Sequence, residues 1–505
     1  MPETPTIAHS AFAGWIGVGR EEITPPVGIY ARNWGAATHE TAEGIHRPLT
    51  ATVLALRSAP DTPPCLLAVL DLGWWRTAED ERLVRDAVLS GLGLDPARVI
   101  ISLTHTHAGP AICLEDADRP GGHLIAPYLE QVRAALLRAA TTALQSARPA
   151  TLDWAEGVCD LARNRDLPEP ESVEHPSESV ERQALSVEHT TKETVSSTPN
   201  AQRLTPNAPP RFVLGYNPMA HADDTLLMGR VTGEDGKIQA TIVNYACHPT
   251  TLAWENRLIS PDFVGALRER VESETGAPCL FLQGASGELA PRDQYTADTM
   301  VADRNGAQLG FAALSTLTGM MPPRSHLIYT GVVESGAPLA IRRSAPYTPP
   351  SLIACRQIEV EVPLKAGLSL AEVEARLETE TDPVQIERLR RRRRITRIVG
   401  DGAVTTVPLW IWRLGDAFLV AQPDEAYSWL QTELRNRFPG HRIAVLNTAN
   451  GPYCGYLPPT HLYGRDLYAV WQTPFDHGCL ERVLEAAVTA ISALEIPHRP
   501  AQGQG

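Results

Sequence analysis

The sequence predicts an α/β fold: a layered, mixed β-sheet with helices on both faces. Two observations carry that expectation. Short, wholly apolar runs such as CLLAVL (65–70) and LFLQ (280–283) have the length of strands buried on both sides. Between such runs lie longer segments with apolar residues at helical spacing, and alternation of the two signals marks a layered α/β architecture.

Taken in order, TATVLAL (50–56) and CLLAVLDL (65–72) read as strands. TAEDERLVRDAVLSGLG (77–93) comes next as a helix, with Thr77 as N-cap, acidic residues in its first turn and Gly91 as its stop. RVIISL (98–103) is a strand and PYLEQVRAALLRAATTALQSA (127–147) an amphipathic helix. TLLMGRV (225–231) and QATIVNYA (239–246) are strands. The next helix has Ser260 as cap, Pro261 in its first turn, Phe263, Val264, Leu267 and Val271 on one face, and Gly276 at its end. Residues 325–420 mix β-like stretches with LSLAEVEARLETETDPVQIERLRRRRRITR. The run Arg390–Arg394 reads as the solvated, dipole-favoured end of an acidic-to-basic helix. FLVAQ (418–422), RIAVLN (442–447) and a helix near 478–494 close the chain.

One large unit over 12–497 accommodates these elements, with a flexible tail at 498–505. Residues 169–210 break the pattern. They are rich in Ser, Glu, Thr and Pro, repeat Ser-Val-Glu at 172, 179 and 186, and predict a disordered surface insert. A net charge of −14 argues against nucleic acid or an anionic membrane as partner. No run approaches the roughly 18 apolar residues of a membrane helix. The start MPETPTIAHSAFAGW lacks a basic segment and an apolar core. The 8 cysteines are scattered with no C-x-x-C, as expected of buried, reduced thiols. Together these predict a cytoplasmic location.

The chemistry lies just beyond the strand ends. RVIISL runs into Thr104-His105-Thr106-His107, IVNYA into Cys247-His248-Pro249, and FLVAQ into Pro423-Asp424-Glu425. RIAVLN leads to a loop with Tyr453 and Tyr456, and LFLQ to Gly284-Ala285-Ser286-Gly287. Ligands of open α/β sheets bind at the carboxyl ends of strands, so these loops are expected to converge. In an extended segment, His-x-His puts both rings on one face. Imidazoles, a carboxylate and phenols so placed could hold a divalent metal, with zinc accepting such donors. Ser286 has neither nucleophile-elbow nor phosphate-loop spacing and reads as turn chemistry.

THTHAGP, NRDLP, NYACHPTTL, SPDFVG, GELAPR, QPDEAY and PYCGYLPPTHLYGRDLY occur in that order between EEITPP (21–26) and about residue 495. In this the chain resembles the zinc-dependent amidase domain of the neutral/alkaline ceramidases. The resemblance implies zinc (Zn2+) held by His105, His248, Glu425 and Tyr456. It implies His107 beside the substrate, Arg165 on a carbonyl or oxyanion, and Tyr468 near the scissile group. It also implies amide hydrolysis by activated water, on a small-molecule or lipid amide such as those of sphingolipid metabolism.

Two departures from the family pattern matter. Ala290 of GELAP occupies the position of a serine that the family carries beside the zinc, and Asp166 replaces a serine after Arg165. The family's C-terminal immunoglobulin-like domain is not expected within these 505 residues. The expectation is therefore an amide hydrolase without a covalent serine step, its substrate not tied to ceramide. An ester or lactone hydrolase, and a catalytically silent binding protein, stay open as alternatives.

Overall fold

The computed structural model describes residues 9–169 and 211–495. The expected insert, but for Glu169, and the expected tail lie outside the described residues. The α/β class holds, and its layers are resolved as two stacked sheets with helices on the outer face of each.

The larger sheet has eight strands: β1 Ser10–Glu22, β2 Thr50–Arg57, β3 Cys65–Leu70, β4 Val99–Leu103, β5 Arg148–Val158, β6 Thr225–Gly233, β7 Ile238–Tyr245 and β8 Cys279–Gln283. Their order is β8-β7-β6-β5-β1-β2-β3-β4. The smaller sheet runs β9 Ile353–Pro363, β10 Val404–Leu414, β11 Ala417–Ala421 and β12 Arg442–Leu446, in that order. Pairing is antiparallel except for β3/β4, β7/β8 and β11/β12. Each parallel pair is bridged by a helix: α1 Ala78–Leu92, α3 Phe263–Thr275 and α7 Trp429–Arg437. The other helices are α2 Ile125–Gln145, α4 Thr299–Thr318, α5 Leu370–Thr379, α6 Pro383–Val399, α8 Tyr468–Gln472 and α9 Cys479–Glu495.

Strand alternation builds the layers. Leu54, Leu67, Leu227 and Leu282 face Trp410, Trp412, Leu419 and Leu446 of the other sheet. The intervening Val53, Ala55, Leu66 and Ala68 pack against Val132, Leu136 and Ala139 of α2. Phe263, Val264 and Leu267 of α3 cover Val243 and Phe281 on the same outer side. On the far side, α7 and α9 bury Leu430 and Leu484 against Ile411, Val420 and Val445. Gly17 and Gly19 let β1 approach α2, since a Cβ at either would lie 2.1 Å from a helix carbonyl.

Three local expectations change. The α1 helix has its Thr77 cap, accepting from Asp80 N, but ends at Gly93 with φ 64°, not at Gly91. The left-handed closing position needs glycine, and it falls two residues later. The N-cap of α3 is Asp262, whose side chain accepts from Phe263 N, while Ser260 Oγ accepts from Asp262 N at 2.9 Å. The arginine run is not uniformly solvated: Arg394 is 9% exposed and pairs with Glu115 and Asp116. Those carboxylates, in a short 3-10 helix (Leu114–Asp116) after THTHAGP, pull the basic face of α6 onto the body of the protein. No described helix is long and apolar enough to cross a membrane.

Candidate metal centre

The three βαβ units and their neighbouring loops deliver side chains to one edge. After β4 the chain turns sharply: His105 has φ 66°, and its N–H donates to Leu72 O at 2.9 Å. The His-x-His segment is therefore not extended there, yet the His105 and His107 rings still meet, 4.9 Å apart. After β7 comes His248, with its ring 5.0 Å from that of His105. After β11 comes Glu425, which forms a short parallel ladder with Tyr456 and so brings that phenol alongside.

The imidazoles are oriented by backbone. His105 Nδ1 lies 3.2 Å from Gly73 O and His248 Nδ1 lies 3.1 Å from Leu289 O. A proton given to a carbonyl at Nδ1 leaves the Nε2 lone pair for another partner. Both Nε2 atoms turn to Glu425, at 3.4 Å from His105 and 2.6 Å from His248. Arg165 closes the other side: its Nη2 donates to Gly287 O at 2.8 Å and Tyr456 OH at 3.1 Å. Tyr468, in the first turn of α8, sits with its ring 5.6 Å from Tyr456.

Burial governs the charges. It opposes ionisation of Glu425, but His105 and His248 outweigh it and hold the carboxyl well below its usual range. Burial, with Arg165 next, lowers His248 to about 4, and burial with the neighbouring imidazoles pushes His107 well below its ordinary value. Burial works against the Arg165 charge, yet Tyr456, Tyr295 and Glu425 raise its pKa overall. Neutral imidazoles and an ionised carboxylate are the protonation states a metal requires.

The donor set fits a divalent ion. His105, His107 and His248 each offer a ligand atom, and those atoms lie within 4.8 Å of one another. Nε2 of His107 is buried with no hydrogen-bond partner, and Nε2 of His105 is buried with only the 3.4 Å approach to Glu425, an arrangement that carries a desolvation cost unless something binds there. All seven residues singled out in the sequence, namely His105, His107, Arg165, His248, Glu425, Tyr456 and Tyr468, come together.

Other contributors were not anticipated. Trp74 packs on His105 and His107 with ring centroids at 5.6 and 5.0 Å, and Trp34 approaches His107 at 5.2 Å. Trp74 comes after strand β3 as the histidines come after theirs, so the strand-end criterion reaches it; Trp34 has no such signal. Ser286 is buried, with Oγ accepting from Gln283 Nε2 at 2.6 Å, as turn chemistry requires. Ala290 lies fully buried opposite Arg163 in a short antiparallel ladder.

Neither a protein-family model nor a curated protein sequence matches the chain. Solved structures do. A ceramidase complexed with C2 superposes with TM-score 0.63 at 15% identity, over 96% of this chain and 75% of that one. The neutral ceramidase from Pseudomonas aeruginosa gives TM-score 0.62 at 16% identity, over 96% of this chain and 74% of that one. At such low identity the likeness is one of fold: over 96% of its length this chain has the architecture of neutral ceramidases, with a three-histidine candidate metal site in it.

Proposed function

We propose that the protein is a zinc-dependent amidohydrolase that cleaves an N-acyl amide with water and does not depend on ceramide as substrate. The observation that carries this reading is the cluster of His105, His107 and His248, with ligand atoms within 4.8 Å of one another, beside a Glu425 carboxylate that two of the imidazoles approach. His105, His248, Glu425 and Tyr456 would hold the ion. Bound there, zinc would polarise a carbonyl and lower the pKa of a water. The residues of the chain do the rest. Gly73 O and Leu289 O fix the two imidazoles. His107, whose Nε2 is free of any hydrogen bond, would hold the attacking water or pass its proton on. Arg165 and the Tyr468 phenol would stabilise a carbonyl oxygen as it gains charge. The Trp34 and Trp74 rings flank His107.

The test is zinc content measured beside turnover on a panel of N-acyl amides and esters. The expectation is about one zinc per chain, lost in His248→Ala and Glu425→Ala together with amide hydrolysis, while His107→Ala keeps zinc and loses turnover. Wild-type protein that takes up no zinc overturns the reading. Ala290, where the family resemblance places a serine, favours a second reading of metal binding without catalysis. Full zinc occupancy with no turnover across the panel would establish that one instead.

A further inference from the structure

The side chains around the site also indicate a substrate class. Six partly exposed rings surround the cluster: Trp34, Trp74, Trp254, Tyr295, Tyr453 and Tyr468. Trp34 and Trp74 lean on His107 from 5.2 and 5.0 Å, at interplanar angles of 45° and 47°. Trp254 and Tyr295 extend the wall behind Trp34, at 6.1 and 5.9 Å. Tyr453 extends it behind Trp74 at 6.3 Å, and Tyr468 stands 5.6 Å from Tyr456 on the Arg165 side. Every one of these rings is indole or phenol, an apolar face with a polar tip. A binding wall for a long acyl chain needs only aliphatic carbon and gains nothing from such tips.

One further feature points the same way. Trp34 Nε1 and Arg165 Nε are both buried donors without a partner, so the wall has hydrogen bonds to give.

We infer that the substrate is a short-chain N-acyl amide whose nitrogen is carried by a hydroxylated saturated ring, that is, an N-acylated amino sugar. This rests on the hydrolase reading above. The polarised C–H bonds on the face of such a ring meet the electron-rich aromatic faces, and its hydroxyls meet the polar tips. Hydrolysis breaks the amide C–N bond and joins the water oxygen to the acyl carbon. A water proton goes to the departing nitrogen, giving the free amino sugar and a short carboxylic acid.

Two substrates with the same acetamide and different amines provide the test: N-acetylglucosamine and N-acetylsphingosine, each with the zinc-loaded full chain. The expected kcat/KM is higher for the sugar by at least about tenfold. N-acetylglucosamine should also change tryptophan fluorescence saturably, in wild type and in zinc-free His248→Ala alike. Trp34→Leu should weaken that binding by about tenfold and Trp34→Phe should recover most of it. Circular dichroism checks that each variant is folded. Cleavage of N-acetylsphingosine at an equal or greater rate overturns the sugar assignment and leaves the hydrolase standing. Saturable sugar binding with neither amide cleaved overturns the hydrolase and leaves the sugar site standing. A sugar neither bound nor cleaved overturns the assignment outright.

Discussion

Replacing Glu288 by glutamine should make the protein more stable in alkali and leave it unchanged in mild acid. Glu288 is 7% exposed, and its carboxylate accepts Ser428 N–H at 3.1 and 3.0 Å as well as the Ser428 hydroxyl. Burial outweighs those bonds and pushes the carboxyl from 4.5 up to about 7. The native state therefore holds the proton more tightly than the unfolded chain does. The stability this gives is complete below about pH 4.5 and is lost as the pH rises through about 7. At about 1.4 kcal/mol per pH unit the loss amounts to about 3 kcal/mol by pH 9. Glutamine mimics the protonated acid, with its oxygen for Ser428 N–H and its amide for Ser428 Oγ. Urea unfolding at pH 4 and pH 9, compared at a common slope, measures the difference. Glu288→Gln should match wild type within about 0.5 kcal/mol at pH 4 and exceed it by about 3 kcal/mol at pH 9. Other buried groups, such as Asp262 with its carboxyl pushed up to about 6, titrate in both proteins and cancel. Parallel stability curves, or a variant weaker at pH 9, would refute the argument.

The packing sets two further outcomes. Arg268→Met should cost about 3–5 kcal/mol, read as a fall in the urea midpoint, because it strands the buried Asp71 that Arg268 Nη1 meets at 2.6 Å. Adding Asp71→Asn should recover most of that loss. Ser286→Ala should cost about 1 kcal/mol through one lost hydrogen bond and leave the proposed amide hydrolysis unchanged; abolished turnover would place Ser286 in the catalytic machinery.

The site is more legible in the sequence than the layers are. Histidines 105 and 248 and Glu425 each come after an apolar strand that pairs in parallel with a neighbour, and parallel pairs must end at a common edge. Position after a strand thus carries three-dimensional information. The stacking of two sheets does not show, because a strand such as CLLAVL is apolar on both faces whether helix or sheet covers it. The arginine run departs from its expected solvation for a related reason. Helix-face arguments see only local sequence, and the partners of Arg394 lie at Glu115 and Asp116, far away along the chain. Trp34 sits in a loop with no periodicity to mark it.

The GASGELAP segment (284–291) shows why a search for reactive side chains looks at the wrong atoms there. Its contribution to the site is made by main-chain oxygens. Leu289 O takes the His248 Nδ1 proton, Glu288 O takes Arg165 N–H at 2.8 Å, and Gly287 O takes the Arg165 guanidinium. Such carbonyls can reach their partners only if the backbone lies close to the elements around it, and side-chain bulk would prevent that. At Gly287 a Cβ would fall 2.5 Å from the Tyr427 ring and 3.0 Å from Glu425 O; at Gly284 it would fall 2.9 Å from the Ala246 backbone. The Tyr427 ring has little room to give way, being buried and tied through its hydroxyl to Asp166 at 2.9 Å. The small residues that make this loop look like an ordinary turn are thus what close backbone packing demands. The same packing holds His248 and Arg165 in register with Glu425, so the spacing of a candidate ligand, the neighbouring carboxylate and the Arg165 guanidinium is set by the main chain of this segment.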